Sequence, residues 1–362
     1  MTQLTVRALR ATAVEVPMKH VLGTSAAAVR AAPLLLVDLD TEEGVTGRSY
    51  LFCYLRGAAP AMAAMVAEVE RMVKGERTPP EELWEKLAKR FRLIGVQGIV
   101  RMAMAGFDAA YWDALARAAG KPLAEFLGGK RQRVRAYNSN GLGLMGVEAL
   151  AREADELLEG GFRGVKLRLG YATLDEDLAA VRTVKARLPK GVELMVDYNQ
   201  ALSVEEALRR GRALDGEGLA WIEEPIRHDD YRGAARLAAE LATPIQIGEN
   251  FSQPHALEEA IAARACDRVM PDLERIGGVT GWMRASRIAA AANMKMSSHL
   301  FPEVSAHLLA VTPTCDWLEY VDWAAPLLKE PIRIVAGEAE IPDRPGNGME
   351  WDAAAVARLA IP

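Results

Sequence analysis

GVKLRL (164–169), LMVDYN (194–199), WIEEP (221–225) and IQIGEN (245–250) decide the reading of the fold. Each is a short apolar run of strand length, and each is followed by a stretch with helical periodicity. Working outward, the same rhythm holds in VRAYNS (134–139), RVMPDL (268–273), KMSSHL (295–300) and WLEYV (317–321). Eight strands alternating with helices imply a parallel sheet, because parallel neighbours need a crossover. Eight such units close most naturally into a barrel, and an open doubly wound sheet is the alternative.

Upstream, Leu4 to Val16 alternates like a strand. PLLLVDLD (33–40) and VTGRSYLFCY (45–54) flank a Thr-Glu-Glu-Gly turn and read as a hairpin. Helices are expected over residues 59–74, 80–91 and 103–119. Between the first two strands, VLGTSAAAVRAA (21–32) reads as a mobile flap or a long connection. The LGGKR stretch at 127–131 breaks the helical pattern. These signals divide the chain into an α+β unit over residues 1–127, a barrel over 128–330 and a tail over 331–362. IRIVAGEAEIP (332–342) in the tail is hairpin-like, and the segment is expected to return to the front unit.

Composition narrows the class. The 362 residues are 50% hydrophobic and 26% charged, with 44 basic and 49 acidic side chains. That is ordinary globular usage, with no basic stripe for nucleic acid. Three scattered cysteines make neither a disulfide framework nor a zinc ribbon. No apolar run reaches the length of a membrane span, and the N-terminus lacks a signal-peptide core. A cytoplasmic protein with no membrane partner is expected.

A polar residue sits near the end of each strand: Ser139, Lys166, Asp197, Glu223, Glu249, Asp272, His299 and Glu319. One acid at a strand end usually caps a helix. Eight in succession converge on one mouth of a barrel, where barrel enzymes keep their chemistry. Asp197, Glu223 and Glu249 come from adjacent strands. Carboxylates about 4 Å apart repel by roughly 4 kcal/mol per pair at an effective dielectric of about 20. A cation relieves that repulsion, and an all-oxygen donor set suits Mg²⁺. Pairing of one acid with Lys or Arg is the plain alternative. Asp272 and His299 lie on neighbouring strands, where a carboxylate can orient an imidazole as a general base. Lys166 and Arg168 are two apart and point the same way. Glu319 is open between a carboxylate and, if desolvated, a neutral acid. His20 and His228 are further pocket-lining candidates. GLGLMG (141–146) fits the G-x-G-x-x-G pattern of dinucleotide folds, but the next strand ends KLRLG, without the acid that binds the ribose.

These residues, with SYLF (49–52), AKRF (88–91), GFRGVKLRLGY (161–171), MPD (270–272), IGGVTGW (276–282) and SSHLF…SAHLLA (297–310), closely resemble the mandelate racemase family of the enolase superfamily. The resemblance spans nearly the whole chain. It implies a modified TIM barrel, (β/α)7β, with an N-terminal α+β capping domain completed by the C-terminal segment. It also implies Mg²⁺ on Asp197, Glu223 and Glu249, and His299 as a base held by Asp272. Lys166 would meet the substrate carboxylate, Glu319 would donate to the enolate, and Ser139 and Asn199 would contact substrate. The flap at 21–32, with Tyr54, would close over it. A homo-oligomer, often an octamer, is implied.

One position departs from the family. Its racemase pattern has Lys-x-Lys on the second strand, the second lysine being the base opposite the histidine; here that residue is Arg168. Neutralising a guanidinium at pH 7 costs about 7 kcal/mol. The expected activity is α-proton abstraction from a 2-hydroxy carboxylate, as a racemase of 2-hydroxy acids. The alternative is an acid-sugar dehydratase working from His299 alone, with Arg168 binding a polar substrate or serving as an unusual base. A binding protein that keeps the scaffold without catalysis is a third reading.

Overall fold

A computed structural model describes residues 3–25 and 27–361. The chain opens with an antiparallel sheet in the order β1 (Val6–Gly23), β2 (Ala28–Thr41), β3 (Thr46–Phe52). Three helices follow: α1 (Ala59–Val73), α2 (Pro80–Phe91) and α3 (Gly98–Ala118). The run PLLLV in β2 is continuously apolar because both faces of the sheet are covered. Leu35, Val37, Leu39 and Leu51 pack against α1–α3, while Leu34, Leu36, Tyr50 and Phe52 belong to the barrel's core.

After α4 (Leu123–Phe126) the alternation starts. The strands are β4 (Val134–Asn138), β5 (Gly164–Arg168), β6 (Glu193–Asp197), β7 (Trp221–Glu223), β8 (Ile245–Ile247), β9 (Arg268–Val269), β10 (Lys295–Met296) and β11 (Leu318–Tyr320). Between them run α5 (Val147–Leu157), α6 (Leu174–Lys185), α7 (Val204–Leu214), α8 (Tyr231–Glu240), α9 (Pro254–Ala262), α10 (Leu273–Ile276), α11 (Gly278–Ala291) and α12 (Pro302–Leu309). Parallel pairing is unbroken from β4 to β10, and β11 pairs β4. A Met296–Cys315 bridge and a Ser298 N–H to Trp317 carbonyl bond close the ring. The result is a (β/α)7β barrel under a capping unit.

The tail does two things. β12 (Arg333–Val335) and β13 (Glu338–Glu340) form a hairpin that joins β4 antiparallel. Residues beyond it meet the capping unit: Asn347 N–H donates to Asp113, Trp351 to Asp38, and Ala360, just past α13 (Ala353–Leu359), bridges Val14.

Two expectations shift. α3 begins at Gly98, earlier than the expected residue 103. It is buried on every side from Val100 to Ala116, so it carries no amphipathic stripe by which its start could be read. The 21–32 segment is the tip of the β1–β2 hairpin: both strands run into it, with Leu22–Val29 and Gly23–Ala28 still in register. Ala26 lies outside the described residues. Among the described residues no helix is long and apolar enough to cross a membrane.

Candidate active site

Parallel strands pointing one way deliver their last residues to one mouth. Arg168, Asp197 and Glu223 are direct register partners across β5, β6 and β7. One carboxylate oxygen from each of Asp197, Glu223 and Glu249 lies within 4.8 Å of the others. The backbone around this mouth is held in left-handed conformations that non-glycine residues rarely adopt: Asn199 (φ 47°), Gln200 (64°), Glu224 (38°), Leu300 (51°) and Phe301 (51°). Strain of that kind gathers where the surroundings over-determine a functional geometry.

Lys166, on β5 and fully buried, sits among the acids. Its Nζ donates to Glu223 Oε1 at 2.5 Å and to Glu319 Oε1 at 2.7 Å, and stands 3.4 Å from Asp197 Oδ2. Burial would strip its proton, but Glu223, Glu319 and Asp197 outweigh burial and hold the ammonium charged well above the ordinary lysine range. Glu223 is raised as well. Burial, with Asp197, Glu319 and Glu249, raises its carboxyl against the pull of Lys166. Its Oε2 accepts the Trp221 indole N–H at 2.9 Å.

His299 follows β10. Its Nδ1 faces Asp272 Oδ2 at 2.7 Å, so Nδ1 carries the hydrogen and Nε2 looks into the mouth, 3.3 Å from Glu249 and 3.9 Å from Glu319. Asp272 is itself fixed, because its Oδ1 accepts the Glu274 and Arg275 N–H groups at the start of α10. Burial lowers the imidazole's basicity, but Glu249, Glu319 and Asp272 reverse that and raise it to about 9.

Glu319 accepts from Lys166 Nζ, from Ser139 Oγ (2.7 Å) and from Leu300 N–H (2.9 Å). Burial pushes it up, yet Lys166 and His299 dominate and hold it far below the ordinary carboxylate range. Of the two states left open by the sequence, this geometry favours the carboxylate. Asn199 gives its backbone N–H and Nδ2 to Asp197, leaving its buried Oδ1 without a partner. The Tyr54 ring lies under Arg275, at 4.6 Å, and Arg275 in turn donates to the Glu249 carbonyl and to Asn250.

The Arg168 guanidinium turns to the backbone: Nη1 donates to the Ser139 and Gly141 carbonyls (2.7 and 2.9 Å) and Nη2 to Ser139 Oγ (2.9 Å), while its buried Nε has no partner. His20 faces Glu153 and Glu156, and His228 is exposed with its backbone N–H on Gln200, so neither joins this cluster. In GLGLMG it is Gly143 that packs against the flap. Leu144 N–H donates to Gly23, and a Cβ on Gly143 would stand 2.5 Å from the Gly23 nitrogen. The sequence reading missed Trp221, Arg275 and the buried Glu224. Trp221 was legible in principle, since i and i+2 of one strand share a face and Glu223 is the second residue on.

The donor set fits a hard divalent cation. It is all carboxylate oxygen, convergent, with an unpartnered amide oxygen beside it. Family comparison agrees. Residues 6–128 match the N-terminal domain of mandelate racemase / muconate lactonizing enzyme, and residues 149–355 match the enolase C-terminal domain-like family. The chain belongs to the mandelate racemase / muconate lactonizing enzyme family. Within that family it is similar to an enolase from Bradyrhizobium solved with magnesium and mandelic acid, at 40% identity over 100% of both chains and a TM-score of 0.95. It is 31% identical to the L-talarate/galactarate dehydratase of Salmonella typhimurium, over 87% of this chain and 80% of that one. It is 32% identical to the 3,6-anhydro-alpha-L-galactonate cycloisomerase of Streptomyces coelicolor, over 91% of each. The chain is thus an enzyme of the enolase superfamily.

Proposed function

We propose that this enzyme dehydrates an acid sugar: His299 removes the proton next to the carboxylate of a 2,3-dihydroxy acid, and a β-hydroxyl leaves from the same face. The observation that carries the reading is one-sidedness. His299 Nε2 faces the acid cluster with Nδ1 pinned on Asp272, while the second cationic side chain of β5, Arg168, is committed to the Ser139 and Gly141 carbonyls.

A proton beside a carboxylate is a poor acid, because its removal places a second negative charge on the same group. Mg²⁺, held by Asp197, Glu223 and Glu249, supplies when bound the positive charge that lowers this cost. The Lys166 ammonium adds a second fixed charge, already oriented by Glu223 and Glu319 and therefore costing no reorganisation. The largest upward pull on His299 comes from Glu249, one of the cation's own ligands. Neutralising Glu249 returns the imidazole toward the range where it accepts a proton at neutral pH. After abstraction the imidazolium returns that proton to the departing β-hydroxyl. One C–H and one C–O bond break, a C=C bond forms, water leaves, and the enol tautomerises to a 2-keto-3-deoxy acid. Similarity to the talarate/galactarate dehydratase supports this reading.

A second reading, racemisation of a 2-hydroxy acid, is favoured by likeness to the Bradyrhizobium structure holding mandelic acid. It also gains from the aromatic cluster of Phe52, Tyr54 and Trp323, with ring centroids 4.3 and 5.0 Å from Phe52 and Tyr54 against Arg275. Proton NMR in D₂O with Mg²⁺ decides between them across acid sugars and aryl hydroxy acids. Loss of hydroxyl, with solvent deuterium entering at C3 as the enol tautomerises, is expected. Inversion of configuration would establish the racemase, and neither loss nor exchange of the α-proton with any of these acids would overturn both.

A further inference from the structure

Arg168 is an expensive residue to bury, and its side chain does not point at the acids that would balance it. Four of its bonds go to a single loop. The backbone N–H reaches the Leu142 carbonyl at 2.9 Å, Nη1 spans the Ser139 and Gly141 carbonyls, and Nη2 donates to Ser139 Oγ. That loop needs holding. Leu142 sits at φ 44°, a left-handed conformation that leucine avoids, and its N–H is caught by Glu153 Oε2 at 2.7 Å. The loop is also what the flap rests on, through the Leu144–Gly23 bond.

The direction of the hydrogen bonds adds a second consequence. A guanidinium has donors only, so Ser139 Oγ must accept from Arg168. Its own hydroxyl hydrogen is then free for one acceptor, Glu319 Oε1 at 2.7 Å. The backbone N–H of Ser139 is spent on Tyr320. The chain Arg168 → Ser139 → Glu319 therefore runs one way, and it ends on the same carboxylate oxygen that accepts Lys166.

We infer that Arg168 is a positioning residue: it seats the 139–144 loop under the flap and fixes the Ser139 hydroxyl toward Glu319, so that Glu319 is held as an acceptor beside Lys166. An ammonium at this position lacks the planar fork that spans two carbonyls and a hydroxyl at once. The inference rests on the proposed reaction only for its effect on turnover; the seating of the loop is independent of it.

Two variants test the two attachments. In Arg168→Ala, deuterium uptake by backbone amides of peptides covering 139–145 and 18–25 should rise about tenfold. Added guanidinium chloride, below denaturing concentrations, should restore protection by refilling the site. Arg168→Gln, which keeps part of the hydrogen bonding, serves if the alanine variant does not fold, and should give a smaller rise of the same sign. In Ser139→Ala the loop should stay protected and Mg²⁺ affinity by calorimetry should be unchanged. Its α-proton abstraction should lose kcat rather than gain KM, because the Glu319 link is gone while Arg168 keeps its bonds to the Ser139, Gly141 and Leu142 carbonyls. Unchanged amide protection in Arg168→Ala, or full-speed α-proton abstraction in Ser139→Ala, overturns the inference. If the wild-type enzyme neither removes nor exchanges the α-proton of any acid sugar or hydroxy acid, the proposed function fails, while the amide measurements still decide the role of Arg168.

Discussion

Trp221 donates its indole N–H to Oε2 of Glu223 across 2.9 Å, from two residues back on the same strand, with both side chains sealed from solvent. Gln246 Nε2 reaches the same oxygen only at 3.5 Å. The indole therefore sets which way the carboxylate turns, leaving Oε1 for Lys166 and for a cation. Groups that orient a ligand in this way typically contribute 10–100-fold to metal affinity. Trp221→Phe keeps the ring packing against Tyr137 and removes the donor. Its Mg²⁺ dissociation constant, by titration calorimetry, should rise about tenfold. An unchanged constant would mean that β7 alone fixes Glu223.

The imidazole pair makes a separate prediction. Asp272 uses Oδ1 to cap α10 and Oδ2 to hold His299 Nδ1–H. In Asp272→Asn the amide NH₂ presents a donor where an acceptor is needed, which favours the wrong tautomer. α-Proton exchange should fall by about 10³-fold or more, with Mg²⁺ binding unaffected. His299→Asn should abolish exchange. In the wild-type enzyme exchange should rise with pH, because the neutral imidazole is the reactive form. That limb should fall between the ordinary histidine value and about 9, and move to lower pH as Mg²⁺ saturates Glu249. A pH-independent rate would exclude His299 as the base.

Lys166 draws on Glu223 and Asp197, two of the carboxylates proposed to hold the cation. Removing the ammonium in Lys166→Met leaves buried acids uncompensated, and the metal-free protein should lose about 3–5 kcal/mol of stability. Mg²⁺ should then restore more stability in the variant than it adds to the wild type. Thermal melts with and without Mg²⁺ measure this directly. An equal increment in both proteins would show that the two cations do not share ligands.

The barrel was legible because its strands are short, apolar and separated by clear helices, and because each ends in a polar residue. Asp197, Glu223 and Glu249 converge as register on adjacent parallel strands requires. What the sequence did not yield is where a long side chain turns. Lys166 and Arg168 leave β5 on the same face, yet one lands among three carboxylates and the other among backbone carbonyls. The local pattern specifies the face, and the loop it meets specifies the partner. The start of α3 was invisible for a related reason, since a helix buried on all sides has no periodic contrast.

The last prediction concerns stability rather than the site. His307, on α12, is fully buried between the capping unit and the tail. Its Nδ1 accepts the Ala124 N–H at 3.1 Å and its Nε2–H donates to the Asn347 carbonyl at 3.2 Å. A second proton would have to enter on Nδ1, against a donor. Burial, opposed weakly by the bond to Asn347, lowers its pKa to about 4. The sign follows from proton counting. Above about pH 6.5 neither state binds the proton. As the pH falls below 6.5 the unfolded chain takes it up first, so stability is lost until the folded form also protonates near 4. The contribution is about 3 kcal/mol. Asp108 and Glu303, pushed up to about 7 by burial, titrate in the opposite sense, so total stability does not isolate it. The difference between wild type and His307→Gln does: it should shrink by about 3 kcal/mol between pH 6.5 and 4 in urea titrations. A difference independent of pH would mean that His307 accepts its second proton in place.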